Sequence, residues 1–353
     1  MEMVAPDKQF IPFREILSYQ PIVVVDAFHP GATALSHWRA AMAREELFDD
    51  TSAGIVLEAL KQGHPATKFP YLTNNHFDVD GFLAVWSLFE PTLALAYETV
   101  LKRAAAIADF REYEPGREEE EHALKLVCWI NAEEKSRFYG PFEVKDEVVQ
   151  SVEKYQWFLP RFAEVLTETE KFREIWEPEY ELIQAHMAQL HAPESQISLF
   201  EDIRLLVVQS PQPLHYYALY SQSRDADMVL SLYDEQRYEL EYCYTTWVDT
   251  AHRVSFPRIP LEELASQLNE QETASFTWTH DRLMDTAPIL RLEGAHFSKA
   301  ERYDHPFRRP IHSSHISPET LIQLVKDYYH SQYQGIEPRR HWTWGEMREV
   351  VKG

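Results

Sequence analysis

His76, Asp78 and Asp80 stand at every second position of the segment Asn74-Asn-His-Phe-Asp-Val-Asp-Gly81-Phe-Leu83, directly after the apolar run Phe69-Pro-Tyr-Leu72. Alternate side chains of an extended segment share a face, and a tight turn eased by Gly81 would also gather all three. Carboxylates with one histidine suit a hard or borderline divalent ion, manganese or magnesium, with zinc still open. The plainer reading of the same residues is a solvated Asp turn leading into a helix start.

Two further aspartates extend the set. Asp26 ends Ile22-Val-Val-Val25, a β-branched run of the kind found in strands covered on both faces. The carboxyl end of such a strand is where α/β proteins place ligands and catalytic groups. Asp109 follows the apolar stretch 104–108 and can face the same cleft; a helix-end or turn role is its alternative. Together with His37, these residues can hold two metals through shared carboxylates.

The elements that must position them alternate. A strand is expected over 21–27, followed by the loop His29-Pro-Gly31 and a helix over 35–47 with Ser36 as its N-cap. A helix over 51–61 stops at Gly63 and Pro65; a short strand covers 69–74, and helices cover 82–89, 91–108 and 118–134. This pattern points to an α/β domain with a largely parallel sheet. The acidic stretch 145–189 is helical in pattern. Beyond 197 strands are expected over 203–210, 215–221, 228–233 and 237–247, with a turn at Asp234-Glu-Gln236 and helices over 261–269 and 318–329. The second half therefore reads as α+β with an antiparallel meander. The expected division is a metal-binding α/β domain over 1–145, a helical bridge or insert over 146–195, and an α+β substrate- or partner-binding domain over 196–353.

Composition narrows the function. The 353 residues carry 34 basic and 57 acidic side chains, a net charge of -23, which disfavours a long nucleic acid but leaves room for a basic pocket holding a small phosphorylated ligand. Cys128 and Cys243 are the only cysteines, too few for a disulfide framework or a cysteine-rich zinc site. The first twenty residues lack an apolar signal segment, and no run reaches the roughly 18 apolar residues of a membrane span. A soluble cytoplasmic protein is expected, with no membrane partner; a homodimer is compatible but has no symmetry-specific signal.

At these residues the chain resembles the DHH phosphoesterase superfamily. The first motif of that family, a histidine or aspartate followed by Asp-x-Asp-Gly, is similar to His76-Phe-Asp78-Val-Asp80-Gly81. Its second, an aspartate after a hydrophobic strand, is similar to Val25-Asp26, and its third, Asp-His-His, to Ser36-His37-Trp38, where only the middle histidine is kept. Asp109 matches the later aspartate of the set. The second and third motifs precede the first, a circularly permuted order. The pattern from 23 to 78 also resembles an uncharacterised bacterial family over most of the chain.

The resemblance implies a metal-dependent phosphoesterase acting on a small phosphorylated compound, nucleotide or short oligonucleotide. Asp26, His37, His76, Asp78, Asp80 and Asp109 would hold Mn2+ or Mg2+, and His37, His76 and Asp78 would take catalytic parts. The alternative is a catalytically degenerate DHH-like scaffold that binds a phosphorylated ligand or a protein partner. In such enzymes a second domain supplies substrate contacts. Here Arg308, Arg309, Ser313, Ser314 and His315, beside His312, are the candidates, because arginine and hydroxyl groups grip phosphate oxygens; a polar loop before the helix start at Ser317-Pro-Glu is the competing reading.

Weaker signals have plainer explanations. Glu118-Glu-Glu-Glu121-His122 reads as a solvated helix face before a metal site. The tyrosines at 216, 217, 220, 238, 242 and 244 read as sheet packing before base stacking. His76-x-Asp78 also matches two ligands of a non-haem iron facial triad, but that site belongs to an all-strand double sheet.

Overall fold

Four consecutive β-branched residues form strand β2 (Ile22–Val25), buried along its whole length. It lies between β4 (Tyr71–Thr73) and β3 (Thr33–Leu35), and β1 (Gln9–Phe10) pairs with the far side of β4, giving the order β1-β4-β2-β3. All three pairings are parallel, with Val25 opposite Leu35 and Val24 opposite Thr73. The carboxyl ends of β4, β2 and β3 are thus neighbours along one edge, spaced by about 4.8 Å per strand. The computed structural model describes residues 8–41, 47, 49–138, 147–293, 301 and 304–350. They divide into two units: residues up to Glu181 together with Asp249–His252, and Leu182–Val248 together with Arg253 onward.

In the first unit the helices α1 (Ser52–Lys61), α2 (Val79–Phe89), α3 (Pro91–Ala96), α4 (Glu98–Phe110), α5 (Glu118–Arg137), α6 (Glu147–Phe158) and α7 (Phe162–Thr167) follow. Every residue of α2 is buried, and it packs against α1, α4 and β2. A helix apolar on all sides belongs inside a domain. Its one charged residue, Asp80, is therefore carried into the interior.

Two local expectations for this unit are corrected. Residues 35–41 are not helical: Leu35 ends β3, Arg39–Ala41 is a single 3-10 turn, and Ser36 Oγ accepts from Trp38 N, closing a turn instead of capping a helix. Pairing with β2 extends Thr33–Leu35, and His37 is left in the loop that follows. Residues 42–46 and 48 of the expected helix lie outside the described residues. The helix expected over 91–108 is two helices, interrupted at Tyr97.

The chain continues through α8 (Arg173–Leu190), within which the division between units falls. The second unit carries β5 (Gln196–Phe200), β6 (Leu205–Ser210), the short α9 (Tyr216–Leu219), β7 (Met228–Tyr233), β8 (Arg237–Tyr242), α10 (Glu262–Gln271), β9 (Thr277–His280), β10 (Ile289–Glu293) and α11 (Pro318–Gln332). Its sheet runs β5-β6-β7-β8-β10-β9 and is antiparallel except between β6 and β7. That parallel pair explains why 215–221 is not the expected strand. Parallel neighbours need a crossover, and 211–227 supplies it, with His215 Nδ1 accepting from Tyr217 N at the start of α9. The architecture is α/β with a parallel sheet in the first unit and α+β in the second. No helix among the described residues is long and apolar enough to cross a membrane.

One face of the second sheet, with Leu205, Val207, Leu230, Leu240 and Leu290, forms an apolar core with Leu264 and Leu268 of α10 and Val325 of α11. Along β8 and β10 the opposite face carries charge. Glu239, Glu241 and Arg291 are buried there, and Arg309 Nη2 lies 2.6 Å from Glu239 Oε2 and 3.6 Å from Glu241 Oε2. Removing one partner of a buried pair strands the other. Arg309→Met is therefore expected to lower stability by about 3–5 kcal/mol in urea denaturation, with metal uptake by the first unit unchanged.

Candidate metal centre

The carboxyl ends of three adjacent parallel strands deliver the first three groups. Asp26 follows β2, His37 lies two residues after β3 and His76 three residues after β4. Asp26 holds φ at 45°, a left-handed backbone uncommon outside glycine and found at ligand sites. Asp78 caps α2, its Oδ1 accepting from Gly81 N at 2.8 Å, and Asp80 lies in the first turn. Asp109 comes from the last turn of α4. The helix start foreseen as the plainer reading of Asp78 and Asp80 is present, and it aims both carboxylates at the strand ends.

These six residues form two groups that share Asp26. Asp26 Oδ1 lies 3.3 Å from His37 Nε2, which is also 3.8 Å from Asp80 Oδ2 and 3.6 Å from Asp109 Oδ2. Asp26 Oδ2 lies 3.4 Å from His76 Nε2, and Asp78 Oδ2 lies 2.8 Å from the same nitrogen. Within each of the sets Asp26-His37-Asp80 and Asp26-His76-Asp78, one potential ligand atom per residue lies within 4.8 Å of the others, so each set could hold a metal. The inner group is sealed, with side chains of His37, Asp26 and Asp80 at 0%, 1% and 0% exposure; at the mouth His76 reaches 24% and Asp78 35%.

Hydrogen bonds fix both histidines. His37 Nδ1 lies 2.9 Å from the Asp50 carbonyl; a carbonyl only accepts, so Nδ1 carries a proton and Nε2 faces the carboxylates. His76 Nδ1 likewise donates to Asn75 Oδ1 at 2.6 Å. Asp80 is held by the start of α1, its oxygens accepting from Ser52 N at 2.8 Å and Ala53 N at 2.7 Å, donors that a helix cannot satisfy internally. Ser52 Oγ donates to Asp26 Oδ1 at 2.7 Å and accepts from His37 N at 3.3 Å.

Charge crowding shows in the protonation equilibria. Burial, joined by the charge of Asp26, pushes Asp80 up to about 7. Burial and the charges of Asp80 and Asp78 raise Asp109 well above the usual carboxylate range. Burial alone would depress His37, but its hydrogen bond to Asp26 and the charges of Asp80 and Asp26 outweigh it and raise His37 to about 9. For Asp78 the penalty of burial is outweighed by His76, which holds it below the usual range. The buried atoms Asp26 Oδ2 and Asp109 Oδ2 accept no hydrogen bond, and each such group costs about 1–3 kcal/mol. A cation in the group that each oxygen faces would remove that penalty, so the donor set fits divalent metal.

Three contributors had little or no sequence signal. Ser52 could have been found as the start of the helix over 51–61. Asn74 Nδ2 donates to Tyr155 OH, and Tyr155 OH donates to the His76 carbonyl at 3.2 Å; only folding brings Tyr155 there. Burial and the charge of Asp78 hold its phenol well above the usual range, so it stays neutral.

Gly81 is required by close approach. A Cβ there would lie 2.1 Å from Asn74 Nδ2, 2.9 Å from Asp78 Oδ1 and 3.1 Å from Asp26 Oδ2. Gly81→Ala is expected to cost about 1–3 kcal/mol in urea denaturation and to weaken metal binding in titration calorimetry by displacing Asp26 and Asp78.

The other candidates are engaged within the protein. Besides its carboxylate partners, Arg309 Nη1 donates to Tyr216 OH. Ser314 Oγ donates to Glu272 Oε2, His315 N to Glu272 Oε1, and Ser313 bridges to Arg237. Arg308 is 48% exposed and lies over the Phe307 ring. Glu121 Oε1 accepts from Tyr113 OH, and His122 Nε2 lies 2.9 Å from Thr169 Oγ1. Tyr238 and Tyr242 pack in the second unit's core, and Cys128 and Cys243 are buried and in no disulfide.

Residues 6–340 match the model of a family of unknown function, DUF6687, and the chain belongs to that family. No curated protein and no solved structure matches the chain.

Proposed function

We propose that this member of a family of unknown function is a two-metal hydrolase of phosphoesters, acting on a small phosphorylated compound, nucleotide or short oligonucleotide. The observation that carries the reading is Asp26, whose two oxygens each face a different histidine, the disposition of a carboxylate shared between two ions. Asp26, Asp78, Asp80 and Asp109 carry four negative charges when ionised, the complement of two divalent cations. Oxygen donors with one imidazole per group suit Mn2+ or Mg2+.

Asp26, His37, Asp80 and Asp109 would hold the inner ion, and Asp26, His76 and Asp78 the outer. Two such ions, when bound, would polarise phosphoryl oxygens and lower the pKa of water. The chain's own residues divide the remaining work. His76 and Asp78, at the partly exposed mouth, would hold the outer ion where substrate can reach it, with His76 Nδ1 keeping its proton toward Asn75 Oδ1. Asp80, fixed by two backbone donors, keeps its place as charge moves. The parallel α/β sheet also argues against the facial-triad iron reading, which expects an all-strand scaffold. Two buried cysteines in no disulfide suit a reducing cytoplasm.

Elemental analysis of the purified protein and a hydrolysis screen with Mn2+ across phosphomonoesters and phosphodiesters test the reading. The expected result is two ions per chain and metal-dependent turnover that Asp78→Asn abolishes without unfolding the protein. Protein that holds no metal and hydrolyses nothing would instead be the degenerate scaffold, a reading favoured by Trp38 standing where the DHH motif has its second histidine.

A further inference from the structure

Residues Asp249–His252 belong to the first unit although the chain on either side of them, through Val248 and from Arg253, belongs to the second. Their hydrogen bonds reach residues that bracket one ligand of the inner group. Asp249 N donates to the His37 carbonyl at 2.8 Å, and the Asp249 carboxylate meets Arg39 Nη1 at 3.0 Å. Ala251 N and His252 N both donate to Asp50 Oδ1 at 2.8 Å, with His252 Nδ1 3.4 Å from the same oxygen. Asp50 in turn receives the His37 ring N–H on its main-chain carbonyl at 2.9 Å. His37 is therefore gripped at its own carbonyl and, through Asp50, at its ring.

We infer that Asp249–His252 is a positioning strap for the inner metal group, with Asp50 as the positioning residue that couples the strap to the His37 ring. The inference rests on the proposed metal reading and deepens it.

The physical argument is one of loop restraint. His37 follows a three-residue edge strand and precedes only a single 3-10 turn, so no long element holds its ring in place. The strands and the α1 and α2 starts hold Asp26 and Asp80 independently of the strap. Partners that orient a ligating histidine set metal affinity by about 10–100-fold. The strap should therefore tune the inner ion and leave the outer one alone. His76 and Asp78 are held instead by hydrogen bonds with Asn75, Gly81, Tyr155 and each other.

Titration calorimetry with Mn2+ alone tests this on the full chain. Wild type should bind in two phases, and His76→Ala identifies the outer phase as the one it removes. Asp50→Ala, which keeps the main-chain carbonyl but releases Ala251 N and His252 N, should weaken the inner phase by about 10–100-fold and leave the outer within about twofold. Asp50→Asn keeps an oxygen acceptor and should restore most of the inner affinity. Asp249→Ala, which loses the Arg39 pair, should weaken the inner phase by about twofold to fivefold, and it carries the test if Asp50→Ala does not fold. Two wild-type phases that Asp50→Ala or Asp249→Ala leaves unchanged would overturn the strap while the metal reading stands. Equal weakening of both phases, unrelieved in Asp50→Asn, would also overturn it. A wild type that takes up no Mn2+ would overturn the metal reading and the strap with it.

Discussion

Asp26→Asn is expected to reduce metal uptake from two ions per chain to at most one and to lower phosphoester turnover by about 10^3-fold or more, equivalent to ~4 kcal/mol of transition-state stabilisation. Asp26 is the only carboxylate common to the two groups, one oxygen toward His37 and the other toward His76, so its charge serves both. The substitution separates charge from shape. Asparagine tolerates the left-handed backbone at φ 45° as aspartate does, and its amide oxygen can still accept from Ser52 Oγ. Without metal the melting temperature should change little, because loss of the Asp26 charge relieves Asp80 and Asp109 but deprives His37 of the partner that raises it. Elemental analysis, turnover and melting in chelator read the three effects together. Unchanged uptake of two ions would remove Asp26 from the shared position.

Removing the metal should destabilise the wild-type protein more at pH 8 than at pH 6. Asp80, raised to about 7, and His37, raised to about 9, bind protons more tightly in the folded, metal-free protein than in the unfolded chain. Each contributes stability that is fully present below its unfolded pKa and is lost as pH rises through its folded value. Metal-free protein therefore loses the Asp80 contribution between about pH 4 and 7, and that of His37 between about 6.5 and 9. Asp109 is raised well above its ordinary range and acts in the same direction. Asp78 is lowered and titrates below this window. A bound ion replaces these protons, so its apparent affinity should rise by about tenfold per pH unit for each proton displaced. Free ion at about 1,000 times its Kd stabilises by ~4 kcal/mol. For a unit of this size that shifts melting by roughly 8–16 °C. Calorimetric melts with Mn2+ and with chelator, at pH 6 and pH 8, give the two gaps. An equal or narrower gap at pH 8 would show that the ion does not take the place of protons on Asp80 and His37.

Much of the first unit was legible because its signals are local. Ile22–Val25 is apolar and β-branched throughout, so a buried strand and an aspartate at its carboxyl end follow from the residues alone. Asn74 to Gly81 carries its chemistry in spacing, and either a strand end or a helix start would have kept Asp78 and Asp80 close. The local structure of His37 was not legible. Thr33–Leu35 is too short to announce itself as a strand, and its extended form comes from hydrogen bonds to β2. The stretch 215–221 misled in the same way: its aromatic content suits a strand, but the parallel pairing of β6 with β7 demands a crossover there.

The amino-acid sequence on its own determined the α/β character of the first half, the change to α+β in the second, and the acidic and histidine residues available for metal chemistry. These depend on side-chain type and on spacings of a few residues. Only the tertiary structure decided that Asp26 divides its two oxygens between His37 and His76, that the start of α1 holds Asp80, and that Tyr155 and Asp249–His252 brace the histidines. Such arrangements depend on contacts between residues tens to hundreds of positions apart, and nothing in a local pattern encodes which distant backbone N–H or carbonyl will arrive beside a given side chain.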